Sequence, residues 1–290
     1  MSQVNPDQIP KVIPVESGIP QGDQDRHDRR IVWMWRFVVV AVILLGWQFT
    51  PDIPGIRHAL VFENPFFISS PSRTSYELWG LLFGAHGTTL IWSAVGRTVT
   101  TALIGTSSAV IAGSVGGLVL SSSPRLHSVC RPFLVFFNAV PRIAIIPVII
   151  LIVGDSSLSD AVTAFTVVFF LIFYTAFEGS SAVPIEIIEN ARLLGASRSS
   201  ILWKVRWPYV MGWTIGALPN AIAFGIVGSV TAEVFTGGSG IGNYLTQALD
   251  TANSDLTFAV VVILAIIGVV LVLGSGLIRS RFLPWWEGAK

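Results

Sequence analysis

The sequence predicts an all-α, polytopic membrane protein with about six transmembrane helices. Three observations predict it. Apolar residues make up 52% of the 290 and charged residues only 12%, whereas a soluble globular chain carries about 25% charge. The apolar residues gather into six stretches, each near the ~20 residues that cross a bilayer. Lysine and arginine are shared unevenly between the segments joining those stretches, as membrane insertion demands.

Residues 1–30 are polar and interrupted by proline and glycine, and they read as a disordered cytoplasmic tail. Residues 31–92 hold the first span, roughly Trp33–Phe49, and then a proline-containing extracytoplasmic segment, Pro51–Trp92, with a short amphipathic helix near Tyr76–Phe83. No signal peptide precedes that span, which reads as a retained anchor. Residues 93–290 form the core, with spans near Ser93–Leu120, Phe133–Val153, Leu158–Phe177, Gly212–Ala232 and Leu256–Ile278. None shows the polar stripe of a surface helix in water. In the second span Gly105, Ala109, Gly113 and Gly117 recur every four residues, a small-residue face suited to close helix packing.

With the N-terminus inside, thirteen Lys and Arg fall in cytoplasmic segments and two, Arg57 and Arg73, outside. That bias places both termini in the cytoplasm, and the chain is expected in the cytoplasmic (inner) membrane. Arg36, near the inner end of the first span, snorkels.

Several function classes are excluded. Cys130 stands alone, so neither a disulfide within the chain nor a cysteine metal site is available, and a buried apolar role is expected. None of the three lysines follows a glycine, so there is no phosphate-binding loop. A nucleotide, if used, binds another chain. Gly237-Gly238-Ser239-Gly240 matches an intramembrane protease nucleophile turn, but none of the four histidines lies in a span to act as base. No catalytic residue, metal site or nucleic-acid partner is expected.

The informative stretch is Pro184–Pro208. Ile187, Ala191 and Leu194 recur at helical spacing, Gly195 interrupts, and Ile201, Val205 and Pro208 follow. Two short amphipathic helices bent at the glycine are expected. The stretch resembles the EAA loop of binding-protein-dependent ABC importer permeases, whose pattern is Glu-Ala-Ala, three residues, Gly, nine residues, Ile-x-Leu-Pro. Here Glu189, Asn190 and Ala191 open it, Gly195 follows with Ala196 behind it, and Val205, Trp207 and Pro208 close it. Asn190 and Trp207 depart from the pattern, while the spacing is intact. Pro141–Pro147, Ala232-Glu233 and Gly240-Ile241-Gly242 add to the resemblance, which covers roughly Ser93 to Trp286. With Ser93 and Arg97 it is most similar to the nitrate/sulfonate/taurine branch.

That resemblance implies a type I importer transmembrane fold and a permease role without enzymatic activity. It implies an ATPase-docking loop at Glu189, Asn190, Ala191, Gly195, Ala196 and Pro208, with ATP-Mg held by two partner ABC ATPase subunits and no cofactor in this chain. It further implies an extracytoplasmic substrate-binding protein and a second permease subunit, expected to be a copy of this one. The solute is expected to be an oxyanion or sulfonate. An ion-coupled secondary transporter or channel subunit working without ATP is the alternative. Against it, the chain shows no clear repeat, and spans three, four and six are nearly free of acids apart from Asp160.

Ionisable groups at membrane depth are the pathway candidates, because each costs roughly 2.5–3.5 kcal/mol at the bilayer centre. Arg142 is expected inside the third span, with Asn138 one turn before it on the same face. It either faces the path and draws an anion, or it snorkels or pairs with a carboxylate such as Glu178. Glu233, beside the run Gly237–Gly242, either lines the outer mouth or fixes the turn there.

Overall fold

The computed structural model describes residues 21–49, 69–84 and 88–282. The expected tail up to position 20, the extracytoplasmic segment before Ser69 and the last eight residues lie outside them. Ten helices are described, with no strand among the described residues: α1 (Gln21–Phe49), α2 (Pro71–Phe83), α3 (Thr88–Ser121), α4 (Pro124–Ala139), α5 (Arg142–Val153), α6 (Ser157–Ser181), α7 (Ile185–Leu193), α8 (Arg198–Thr236), α9 (Ile241–Asp250) and α10 (Ser254–Phe282). The disorder expected through residue 30 is corrected from Gln21 onward. No proline follows Pro20 before the apolar run, so the helix extends back through the Asp/Arg stretch.

Among the described residues five helices are long and apolar enough to cross a membrane: α1, α3, α6, α8 and α10. A sixth crossing results if α4 and α5, bent by 88° at their junction, are counted as one span. The third span was expected as one helix, and the break is a correction. Proline disfavours helical geometry in the residue before it, and Val140 is extended (φ −68°, ψ 125°). Pro141 then caps the restart at Arg142.

The core is a three-helix block of α3, α6 and α8. The small-residue face of α3 meets α6 backbone to backbone. A Cβ on Gly105 would run into the Ala161 carbonyl, and one on Gly117 into that of Phe173. Ala109 is fully buried against Val168, Ile172 and Ala221. On α8, a Cβ at Gly228 would stand 2.9 Å from the Ala164 backbone. Without a hydrophobic force between helices in lipid, such close approach and hydroxyl pairs hold them. Thr101 and Ser229 (2.6 Å) and Ser114 and Thr214 (3.3 Å) supply those pairs.

The loop Ile185–Arg206 marks one side of the block. On the far side, α2, α9 and the start of α10 close over α3 through Ile91, Ile241, Leu256 and Val260. By contrast α1 leaves Trp33, Phe37 and Val42 mostly exposed, as a helix facing lipid or a partner subunit does. Its far end is pinned where Trp47 Nε1 donates to the Ser69 carbonyl (2.7 Å) and the indole meets Phe258. Cys130 is half-buried on α4, not in the core as expected; α4 lies outside the block.

Candidate functional site

The loop's spacing has a direct structural cause. Helix α7 ends in a Schellman turn. Gly195 N–H donates to the Arg192 carbonyl (2.9 Å) and Ala196 N–H to the Ala191 carbonyl (2.9 Å). Gly195 holds φ +82°, a conformation L side chains resist. Ala191 and Ala196, the residues that close the turn, share one apolar cluster with Val183, Ile188 and Ile201. The small residue at 191 and the glycine four places on are therefore one device. Ser197 then caps the next helix, its hydroxyl accepting from Ser200 N–H (3.2 Å).

Two expectations for the loop are corrected. The second helix is not short: it runs on as α8 through a π-helical stretch, Ile201–Arg206. The wider turn suits Pro208, which has no N–H to bond back; Trp207 N–H reaches the Leu202 carbonyl instead. The inward face is also different, since Ile188 is buried while Ile187 and Leu194 are exposed. Leu193 and Leu194 stand 85% and 89% exposed beside Gly195, an apolar corner on a rigid turn. Glu189 and Asn190 are exposed on the helix that leads to it, Ala191 and Ala196 are half-buried beneath, and Pro208 is exposed beyond the π-helical stretch.

At the far end of α8, Glu233 is 0% exposed. Thr98 Oγ1 lies 2.8 and 2.9 Å from its two carboxylate oxygens and donates to one at a time. Gly242 N–H donates to Oε2 (2.9 Å), and Ile241 N–H donates to Thr98 Oγ1 (3.0 Å). The carboxylate thus binds the first turn of α9, where exposed amides favour negative charge. Gly240 and Gly242 leave room for it, since a Cβ on Gly240 would overlap the carboxyl group. Of the two readings of Glu233, this geometry supports the turn-fixing one. Beside it Arg97 pairs with buried Asp160 (3.4 Å) and donates to Ser239 Oγ (3.2 Å). Ser239, the serine of the protease-like turn, has an arginine beside it.

Arg142 opens α5 and is half-buried, its guanidinium 6.0 Å from the Phe170 ring centroid. It lines a cavity of about 440 Å³ with Phe170, Tyr174, Glu178 and Trp213. Asn138 does not share its helix face: it sits in the last turn of α4, across the break, and its side chain is outside the described residues. A second cleft, about 760 Å³, lies on the far side between Arg73 and Glu77 of α2, Tyr244 and Gln247 of α9, and Asn253–Leu256.

Thr98, Asp160 and Arg206 carry polar contacts that sequence reasoning assigned no role. For Thr98 no local signal exists, because helical threonines ordinarily bond the carbonyl four residues back, and its partner lies 135 residues away.

Known proteins resemble this chain along most of its length. The family described as "binding-protein-dependent transport system inner membrane component" matches residues 105–286. The taurine transport system permease protein TauC of Escherichia coli (strain K12) is 24% identical over 89% of this chain and 95% of its own. The riboflavin transport system permease protein RibX of Chloroflexus aurantiacus is 27% identical over 87% and 90%. The nitrate import permease protein NrtB of Synechocystis sp. is 23% identical over 86% of each. Among solved structures, the MetNI methionine ABC transporter in inward-facing conformations shares the fold, with a TM-score of 0.59 and 20% identity over 67% of this chain and 96% of that one.

Proposed function

Because the chain belongs to the family of binding-protein-dependent transport system inner membrane components, we propose that it forms the translocation path for a small anionic solute and is driven by ATPase subunits docked on its 184–208 loop. The family assignment makes it a multi-pass inner-membrane permease of an ABC importer, and the ion-coupled carrier falls with that assignment. The observation that carries the docking reading is the rigid apolar corner at Leu193 and Leu194, framed by Glu189 and Asn190. A contiguous exposed apolar feature beside polar groups marks a protein contact.

In this reading the loop faces the cytoplasm with both termini, in keeping with the Lys and Arg bias. ATP-Mg binds the ATPase subunits. Two copies of the chain enclose the path, and a substrate-binding protein docks on the far side, where the Arg73–Tyr244–Asn253 cleft offers a receptive surface. Closure of the ATPases on ATP moves the loops and swings the helices between inward- and outward-facing states.

For the solute, the Arg142 cavity favours an oxyanion or sulfonate. A guanidinium binds such groups by paired, charge-assisted hydrogen bonds, and the relatives named above include permeases for taurine and nitrate. The competing class is an uncharged heterocycle, as the riboflavin permease shows. Proteoliposomes holding the permease, its ATPase and its binding protein separate the two. Arg142→Gln is expected to lower uptake of nitrate or a small alkyl sulfonate about tenfold or more, the loss of one charge-assisted contact, with an unchanged thermal midpoint. Normal anion uptake by a variant that folds less well would remove Arg142 from the path.

A further inference from the structure

Arg206 occupies the one open position of the closing motif, between Val205 and Trp207. It ends the π-helical stretch and is half-buried. Its NH1 donates to the carbonyl of Ser121, the last residue of α3. A helix end leaves its final carbonyls without partners inside the helix, and a cation there also meets the negative end of the dipole. The same Ser121 donates through its hydroxyl to Ser180 Oγ (2.6 Å), at the end of α6. One side chain from the loop therefore holds the loop-side end of α3, and Ser121 links that end in turn to the end of α6. Leu202, one turn earlier, packs on Leu118, Ala176 and Val210 and supplies the apolar half of the same clamp.

The position matters because of what surrounds it. On one side lies the Schellman turn with its exposed corner. On the other lies the α3–α6 seam, where backbones touch and cannot slide without steric cost. Between them is the π stretch, a poorer helix geometry than α. Force applied to the corner reaches α6 through the short 182–184 link and reaches α8 across that stretch, whereas α3 is joined directly to neither by the chain.

We propose that Arg206 is the positioning residue that makes the loop and the α3–α6 pair move as one body, so that movement of the docked ATPase becomes movement of the path. The proposal rests on the docking reading above. It needs no contact between Arg206 and either nucleotide or solute.

The test uses the complete transporter in proteoliposomes, with three variants. Arg206→Met keeps length and removes the donors, Arg206→Lys keeps the cation, and Ser180→Ala removes only the hydroxyl link to α6. Arg206→Met is expected to retain the ATPase and hydrolyse ATP, but to move about fivefold less solute per ATP, the lower end of ordinary coupling effects. Arg206→Lys regains most of the ratio, and Ser180→Ala loses less than Arg206→Met. A second readout needs only the permease: spin labels at the exposed positions Ser199 and Val119. Their distance distribution should be narrow in the wild type and broad in Arg206→Met. If Arg206→Met does not fold, Arg206→Gln, which removes the cation and shortens the side chain, is read in its place. A wild-type solute-to-ATP ratio with a narrow distance distribution in the variant so read overturns the proposal. If instead the wild type never retains an ATPase while the distances behave as expected, the docking reading fails and the clamp stands.

Discussion

Gly240→Ala should yield a protein that unfolds roughly 10 °C below the wild type in detergent, if it reaches the membrane at all. The added methyl would overlap the Glu233 carboxyl group, and that group has no room to retreat, being fully buried. Overpacking of this kind costs about 1–3 kcal/mol. Displacing the carboxylate from Thr98 and Gly242 adds a further ~1–3 kcal/mol for buried polar groups left unpaired. At roughly 2–4 °C per kcal/mol for a chain of this size, the sum is a large shift. Glu233→Ala should act in the same direction, by removing the anchor instead of crowding it. Gly276→Ala is the control: nothing stands within 4 Å of its Cβ position, and its midpoint should stay within a degree or two of the wild type. A Gly240→Ala protein as stable as that control would mean that Glu233 does not hold the turn and would return it to the pathway candidates.

The second large effect is at the loop corner. Replacing Leu193 and Leu194 together with aspartate should leave the permease folded and abolish retention of the ATPase. Both side chains are nearly fully exposed, so the free protein loses little packing. In the docked complex each would bury an apolar side chain worth about 1.5–3 kcal/mol. The double change therefore removes at least about a hundredfold in affinity, before the cost of burying two carboxylates. Pull-down of the ATPase on tagged permease, with size-exclusion elution as the folding control, reads both quantities. Full retention by the double aspartate variant would place the docking surface elsewhere.

What could be read in advance follows from how local each signal is. Crossing helices announce themselves by apolar length alone, and the glycine bend of the loop by the spacing from Ala191 to Gly195, because both depend on neighbours in sequence. The break at Val140–Pro141 is also local, yet it was folded into one span. The apolar run Ile143–Ile146 continues on the other side, and hydropathy carries no direction. The face of α7 was misread for a different reason. Ile187 and Ile188 are the same residue type, and only the position of Val183, Ile201 and Tyr209 shows which is inward. An apolar residue reserved for a partner looks like a core residue until the core is seen.

The polar constellations were the least legible. An acid beside a glycine run is compatible with a mouth or with a turn. The choice rests on Thr98, which lies on a helix far away in sequence. Arg206 shows the same limit: its partner is a main-chain carbonyl at the end of α3, and no residue type in the sequence marks a carbonyl as waiting. Arg142 opens α5 and lines a cavity, but Asn138, expected on its face, belongs to the helix before the break.

The measurement that tests the central claim most directly is co-purification of the wild-type permease with its ATPase subunit in mild detergent, beside Glu189→Lys and Gly195→Pro. The turn at Gly195 needs φ near +82°, which proline cannot adopt, and Glu189 borders the corner. The account expects the wild type to hold the ATPase through size exclusion, and both variants to lose it while eluting as folded protein. A wild-type permease that purifies as a stable oligomer and never retains an ATPase would contradict ATP-driven coupling through this loop.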